Sequence, residues 1–257
     1  MDMGAESWRP RHGPIRIVLR FLIRIGLGTL CKLSIEGREN IPEQGPLLVV
    51  ANHFHFADPV AVIRAMPWPL EFIGGFRMPN APTGVKWLTK LWGTHRVRRA
   101  GSSRQALKAA EAVLRSGGIL GIFPEGGSWA QVLRPARPGA AYLASRTGVR
   151  ILPVGIDGLT EMFTSLARFR RARVTLRIGE PFGPFEEAEG GRAGRDEIDR
   201  RGEVIMRHIG ALIPEESRGV FSADAAVRAA AADDAVYPWE RGKRGRGGSD
   251  GQASEHD

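Results

Sequence analysis

Residues 47–51 read Leu-Leu-Val-Val-Ala, an unbroken apolar run that stops at Asn52-His53. Its length and β-branched content are those of a strand buried inside a sheet, and an ionisable group at the end of such a strand points to chemistry. Comparable runs recur at 119–123, 149–155 and 174–178, with shorter ones at 33–35 and 70–73. Helical periods lie between them. Residues 102–115 keep Ala106, Leu107, Ala110, Val113 and Leu114 on one side until Gly117-Gly118 closes the helix. A short helix at 60–66 ends at Pro67-Trp68-Pro69, and others are expected at 84–92, at 140–147 and at 196–213, the last with Ile198, Ile205, Ile209 and Leu212 on its apolar side. Strand alternating with helix predicts an α/β fold: a single mixed, largely parallel sheet flanked by helices on both faces. Sites in such sheets gather outside the carboxyl ends of strands, where His53 and Glu125 both fall.

Asp58-Pro59 has the form of a helix start, with Asp as N-cap and proline at the first helical position. His53 then lies on a strand-to-helix loop. On a continuous helix a five-residue offset separates the two side chains, but a loop that curls back lets the carboxylate hold one imidazole nitrogen and leave the other free to take a proton. That is the His-Asp half of a catalytic triad without a protein nucleophile. Spacing alone leaves the plainer alternative open and somewhat ahead: Asp58 as a cap and His53 as a loop residue.

The stretch NHFHFAD, residues 52–58, resembles the His-x4-Asp box of the glycerophospholipid acyltransferase family. GRENIP at 37–42 is similar to the family's lead-in, GTHRVRR at 93–99 to its second box, FPEG at 123–126 to its third and VRILPV at 149–154 to its fourth. Four ordered boxes over roughly residues 37–214 are far more specific than any one alone. The resemblance implies that His53, held by Asp58, removes the proton from the free hydroxyl of a lysophospholipid as that oxygen attacks the thioester of acyl-CoA or acyl-carrier protein. The implied acceptor is 1-acyl-sn-glycerol-3-phosphate and the product phosphatidic acid, with no cofactor and no metal. It assigns the acceptor phosphate to Arg99 and makes Glu125 a site residue that binds a hydroxyl or holds its loop. Gly126 and Gly127 let backbone N–H groups approach a phosphate or an oxyanion. His55 is a rival base, three residues before Asp58.

One departure stands out. The family's third box commonly continues Thr-Arg-Ser, whereas here it continues Gly127-Ser128-Trp129. Without that arginine, another lyso-lipid or hydroxylated lipid is an alternative acceptor, unless Arg134 or Arg137 takes its place in space.

The chain has 257 residues, 42% of them hydrophobic, enough for one substantial core, and a formal charge of +9 that favours anionic partners. Cys31 is the one cysteine, which excludes an internal disulfide and fits a reducing cytoplasmic setting. Residues 15–25 read IRIVLRFLIRI, with Arg16, Arg20 and Arg24 every four positions along one side of a helix and apolar residues over the rest. Charges interrupt it too often for a bilayer span, and it lacks the cleavage site of a signal peptide. It is expected to be a basic amphipathic helix on an anionic membrane surface at the cytoplasmic face, as a peripheral contact; packing on its own domain with arginines in water is the alternative.

The expected organisation is a tail and amphipathic helix at 1–35, an acyltransferase domain at 36–215, and a disordered low-complexity tail at 216–257 with one helix near 223–232. That tail carries a net charge of −2, which leaves +11 on the body. Two other classes are considered. A metal-dependent hydrolase would use His53, His55 and Asp58, but a further histidine close behind is missing. A non-catalytic lipid- or nucleic-acid-binding module would explain the charge, yet no nucleic-acid motif is present, and none is expected as a partner.

Overall fold

A computed structural model of the chain describes residues 13–75, 91–97, 103–186, 193–234 and 236. Helix α1 (Gly13–Leu30) leads into strand β1 (Cys31–Glu36), followed by β2 (Leu47–Ala51), α2 (Asp58–Ala65), β3 (Glu71–Gly75) and β4 (His95–Val97). Then come α3 (Ser103–Arg115), β5 (Ile119–Ile122), α4 (Pro138–Thr147), β6 (Arg150–Asp157), α5 (Met162–Ala167), β7 (Ala172–Ile178), α6 (Arg195–Gly210) and α7 (Ala225–Ala230). The strands form one seven-stranded sheet in the order β1-β7-β6-β2-β5-β3-β4. Neighbours from β6 to β4 are parallel, β6 and β7 are antiparallel, and β1 joins β7 in parallel. The mixed, largely parallel sheet with helices on both faces is as the sequence predicts.

All five residues of β2 are buried, because both faces of the central strand are covered. Leu47, Val49 and Ala51 pack with α1 and α2, through Leu19, Ile23, Leu27, Ala61 and Val62. Leu48 and Val50 turn the other way, towards Ala110 and Leu114 of α3, Leu143 of α4 and Ile205 and Ile209 of α6. Alternate residues of one strand thus feed two separate cores. Cys31 is fully buried at the start of β1, and burial pushes its thiol pKa up.

Helix α1 differs from expectation in which side faces inward. Its buried stripe is Arg16, Leu19, Ile23 and Leu27, spaced three and four apart as one helix face requires. Arg16 is 1% exposed and donates from Nη1 and Nη2 to the two oxygens of the buried Glu71, at 2.7 and 3.0 Å. Its Nε donates to the Trp92 carbonyl at 2.9 Å, and the guanidinium lies 5.0 Å from the centroid of the Trp92 ring. Arg20 donates to the carbonyls of Met66 and Pro67. These arginines clamp the helix to the domain, while Ile17, Val18, Phe21, Leu22 and Ile25 are exposed.

Two further differences concern boundaries. Helix α1 extends over Gly13–Leu30 rather than 15–25. The tail expected to be disordered from 216 apart from a helix near 223–232 has that helix, as α7, and is structured ahead of it as well: two 3-10 turns (Glu215–Ser217 and Gly219–Phe221) precede α7, Ser222 is buried, and Leu133 donates its N–H to the Ser217 carbonyl. Its cohesion is polar, with Glu215 accepting from the Ser222 hydroxyl and the Ala223 N–H, so apolar composition does not reveal it. The expected helix at 84–92 falls largely outside the described residues, which resume at Leu91.

Removing one member of a buried, bidentate ion pair leaves its partner charged and unmatched in a low-dielectric interior. Arg16→Met is expected to destabilise the protein by about 3–5 kcal/mol, read from urea unfolding. Arg16→Met combined with Glu71→Leu is expected to recover most of that loss.

Candidate active site

The loop between β2 and α2 is pinned at its start by Asn52. Its side chain is fully buried, donates to the Ile156 carbonyl at 2.8 Å and accepts the Ile156 N–H at 2.7 Å, so the end of β2 is tied to β6. Asn52 is a residue that sequence reasoning missed; the only local signal is a polar amide at the end of an apolar strand. The chain then turns so that His53 meets Asp58. Its Nδ1 lies 3.0 Å from Asp58 Oδ2, and the same oxygen accepts the His55 N–H at 2.7 Å. Helix α2 begins at Asp58 itself, with Ala57 as its N-cap, one residue earlier than an Asp58 cap implies. The carboxylate is therefore turned into the loop rather than used to cap the helix, and it sits where the helix N-terminus favours negative charge.

With Asp58 ionised, the proton of the neutral imidazole resides on Nδ1 and Nε2 is left as the acceptor. The His53 ring stacks on Phe123, with centroids 4.3 Å apart, and its side chain is 15% exposed. His55 is placed differently. It is buried against Phe56 and Phe163, its Nδ1 accepts the Ala57 N–H, and burial lowers its pKa, opposed by Asp58 and assisted by His53. Asp58 engages the backbone of His55 and the ring of His53, which separates the two candidate bases.

The second loop leaves β5, the parallel neighbour of β2, at the same edge of the sheet. Glu125 is fully buried, and its Oε1 accepts the His53 N–H at 2.7 Å across 72 residues of sequence. Burial pushes the Glu125 pKa up to about 8, against the pull of Arg134 and of the His53 N–H. Arg134 Nε lies 3.6 Å from Glu125 Oε2, and its Nη2 donates to the Gly127 carbonyl. Of the two expected substitutes for the missing arginine, Arg134 is thus fully enclosed behind the loop; Arg137 is half-buried beside Gly126. Gly126 has φ of 74°, and its N–H closes a turn on the Phe123 carbonyl. At Gly127 a Cβ would lie 2.4 Å from Trp129 Nε1, so the ring and a side chain cannot both be accommodated.

The structure therefore brings His53, Asp58, Glu125, Gly126 and Gly127 to two adjoining loops. Arg99 lies outside the described residues. The strand that leads towards it, β4, is parallel to β3 and ends at Val97 on the same edge of the sheet, three strands or roughly 14 Å from β2. Among the described residues no group of three or more histidine, cysteine, aspartate or glutamate side chains is arranged to hold a metal ion.

Comparison with known proteins places this arrangement. Residues 32–157 match the family model described as Acyltransferase. The chain is 28% identical over 151 residues to a 1-acyl-sn-glycerol-3-phosphate acyltransferase of Borreliella burgdorferi, covering 57% of this chain and 60% of that protein. It is also 28% identical over 131 residues to the chloroplastic 1-acyl-sn-glycerol-3-phosphate acyltransferase BAT2 of Brassica napus, covering 49% and 38%. The matched segments thus span less than two thirds of either relative. The crystal structure of the 1-acyl-sn-glycerophosphate (LPA) acyltransferase PlsC from Thermotoga maritima superposes with a TM-score of 0.54 at 25% identity, over 81% of this chain and 85% of that one.

Glu125→Gln retains an oxygen for the His53 N–H and removes the titration. A carboxyl group raised from 4.5 to about 8 on folding contributes stability that is full below pH 4.5 and is lost as pH rises through about 8. Wild-type stability is expected to decline across that window relative to Glu125→Gln, as measured by urea unfolding in a pH series.

Proposed function

We propose that the chain is a member of the glycerophospholipid acyltransferase family, in keeping with the match of residues 32–157 to the acyltransferase family model, and that it transfers a fatty acyl group from a thioester to the free hydroxyl of a lysophospholipid. One observation carries the assignment of the base: a half-buried His53 whose Nδ1 is engaged by an enclosed carboxylate while its neighbour His55 is shut in among aromatic rings. His53 Nε2 takes the hydroxyl proton as the acceptor oxygen attacks the thioester carbonyl carbon. The tetrahedral oxyanion then collapses, the carbon–sulfur bond breaks, and the leaving thiolate takes the proton back from His53. No covalent acyl-enzyme is required. Gly127 supplies the backbone donor for the oxyanion, since the Gly126 N–H is spent within its own turn. Acyl-CoA and acyl-carrier protein are the two donors that fit this chemistry.

The acceptor proposed first is 1-acyl-sn-glycerol-3-phosphate, with its phosphate held by Arg99. A lyso-lipid or hydroxylated lipid without a terminal phosphomonoester is favoured by a separate observation: Arg134 is fully buried against Glu125 and the Gly127 carbonyl and does not replace the arginine missing after Phe123-Pro124-Glu125-Gly126. The substrate's acyl chain calls for a peripheral membrane location, at the cytoplasmic face. Its support is the exposed apolar side of α1; no described helix is long and apolar enough to cross a bilayer.

The test is acyl transfer across a panel of lysolipids with both donors. His53→Ala is expected to lower turnover by about 10²–10⁴-fold with an unchanged circular dichroism spectrum, and Asp58→Asn to lower it less steeply while retaining the fold. Turnover of His53→Ala within a few-fold of wild type would overturn the assignment.

A further inference from the structure

A second concentration of charge lies away from the two loops. An open cavity of about 860 Å³ is bounded by Arg20 and Arg24 of α1, Arg38 and Ile41 ahead of β2, and Arg64 and Trp68 at the close of α2. It sits at the opposite end of the sheet from His53. Helix α2 starts at Asp58 and runs away from that pair, which places Arg64 roughly 9 Å further along its axis; Arg38 precedes the amino end of β2, whereas His53 follows its carboxyl end.

Four arginines and one glutamate, the exposed Glu43, line this cavity. Arg20 is committed to the Met66 and Pro67 carbonyls. Among the described residues Arg24, Arg38 and Arg64 enter no ion pair, and the buried Arg64 Nε makes no hydrogen bond. Burial, then the charges of Arg24 and Arg38, lower the Arg64 pKa, as expected for cations gathered without a counter-ion. Guanidinium forks match phosphate oxygens in pairs, so the anion this cluster fits best is a phosphate.

The walls narrow the choice of phosphate. Phe21 both lines the cavity and stands 63% exposed, and it continues into the outward face formed by Ile17, Val18, Leu22 and Ile25. Trp68 is half-buried at the rim with its Nε1 fixed on the Pro42 carbonyl, an amphipathic ring of the kind that settles at the level of lipid headgroups. Cations beneath an apolar ledge are the complement of an amphiphile with an anionic head.

We propose that this cavity is a phosphate site separate from the acyl-transfer centre, and that it takes the headgroup phosphate of an anionic phospholipid in a bilayer on which the apolar face of α1 lies. The proposal rests on the peripheral membrane location given above. The lipid it holds is a docking ligand and not the reacting one. Arg24 and Arg38 grip it from the exposed sides and Arg64 from below.

Sedimentation with vesicles tests it, using phosphatidylcholine alone and phosphatidylcholine mixed with phosphatidylglycerol. Arg24→Gln/Arg38→Gln, in which both positions are exposed, is expected to bind the mixed vesicles on the order of 30-fold more weakly than wild type and to bind neutral vesicles as wild type does. Arg200→Gln/Arg207→Gln removes the same charge from α6, on the other face of the sheet, and is expected to bind like wild type. Equal losses in the two double variants would overturn the proposal, because net charge rather than the cavity would then govern binding. So would wild-type binding by Arg24→Gln/Arg38→Gln. Inorganic phosphate is the remaining probe: thermal protection of wild type by phosphate, with no difference between the double variants on vesicles, would assign the cavity to a free anion and overturn the lipid. Acyl transfer to detergent-dispersed lysolipid is measured alongside and is expected to be unchanged in Arg24→Gln/Arg38→Gln. Were wild type inactive in that assay while the vesicle difference held, the acyl-transfer function would fail and the phosphate site would stand.

Discussion

His53 is held twice, and the remainder of the site is arranged around that double restraint. Asp58 fixes its ring through Nδ1, and Glu125 fixes its backbone N–H from the loop after β5. The parallel pairing of β2 with β5 makes the second contact feasible, since adjacent parallel strands must deliver their following loops to the same edge. Both carboxylates are enclosed, so each acts in a low-dielectric setting where a hydrogen bond to it is stronger than in water. Their supports differ in kind: Asp58 rests at the positive end of a helix, Glu125 beside the buried Arg134. Glu125 thus restrains His53 from within the protein, and of the three side chains only that of His53 retains exposure.

Helix α1 shows how a buried charge can reverse the apparent sense of an amphipathic sequence. A stripe of arginines normally marks the wet side, because transferring an unpaired guanidinium out of water is prohibitively costly. Arg16 avoids that cost by meeting both oxygens of Glu71, the Trp92 carbonyl and the face of an indole ring. The apolar residues are then left outside, where Phe21 and its neighbours are exposed. The same arginines that attach the helix thereby leave its apolar side outward, and that side is the one the proposed membrane contact would use, with Arg24, Arg38 and Arg64 beside it.

The sheet was legible in the sequence because its strands are covered on both faces and so read as short, unbroken apolar runs; residues 47–51 and 119–122 are nearly pure examples. The His53-Asp58 pair was legible only with the family resemblance, since the spacing of the loop left a plain helix cap and loop residue somewhat ahead. What could not be read were contacts that depend on a distant partner. The period of α1 places Arg16 on one side but does not say that the side faces Glu71, 55 residues on, and nothing local marks Asn52 as the link to Ile156, 104 residues on. Nor does FPEGG disclose that Arg134 lies behind it rather than in front.

Helix α2 joins these features physically. At eight residues it is too short to persist in isolation, so its placement comes from packing of Ala61, Val62, Ala65 and the following Met66 beneath α1. Asp58 begins it and Arg64 lies one residue from its end, an acidic group at the positive pole and a basic group at the negative one, each stabilised there by the helix itself. An anion bound at Arg64 would relieve the repulsion from Arg24 and Arg38 at that end and so favour the position of α2 that also sets Asp58 against His53.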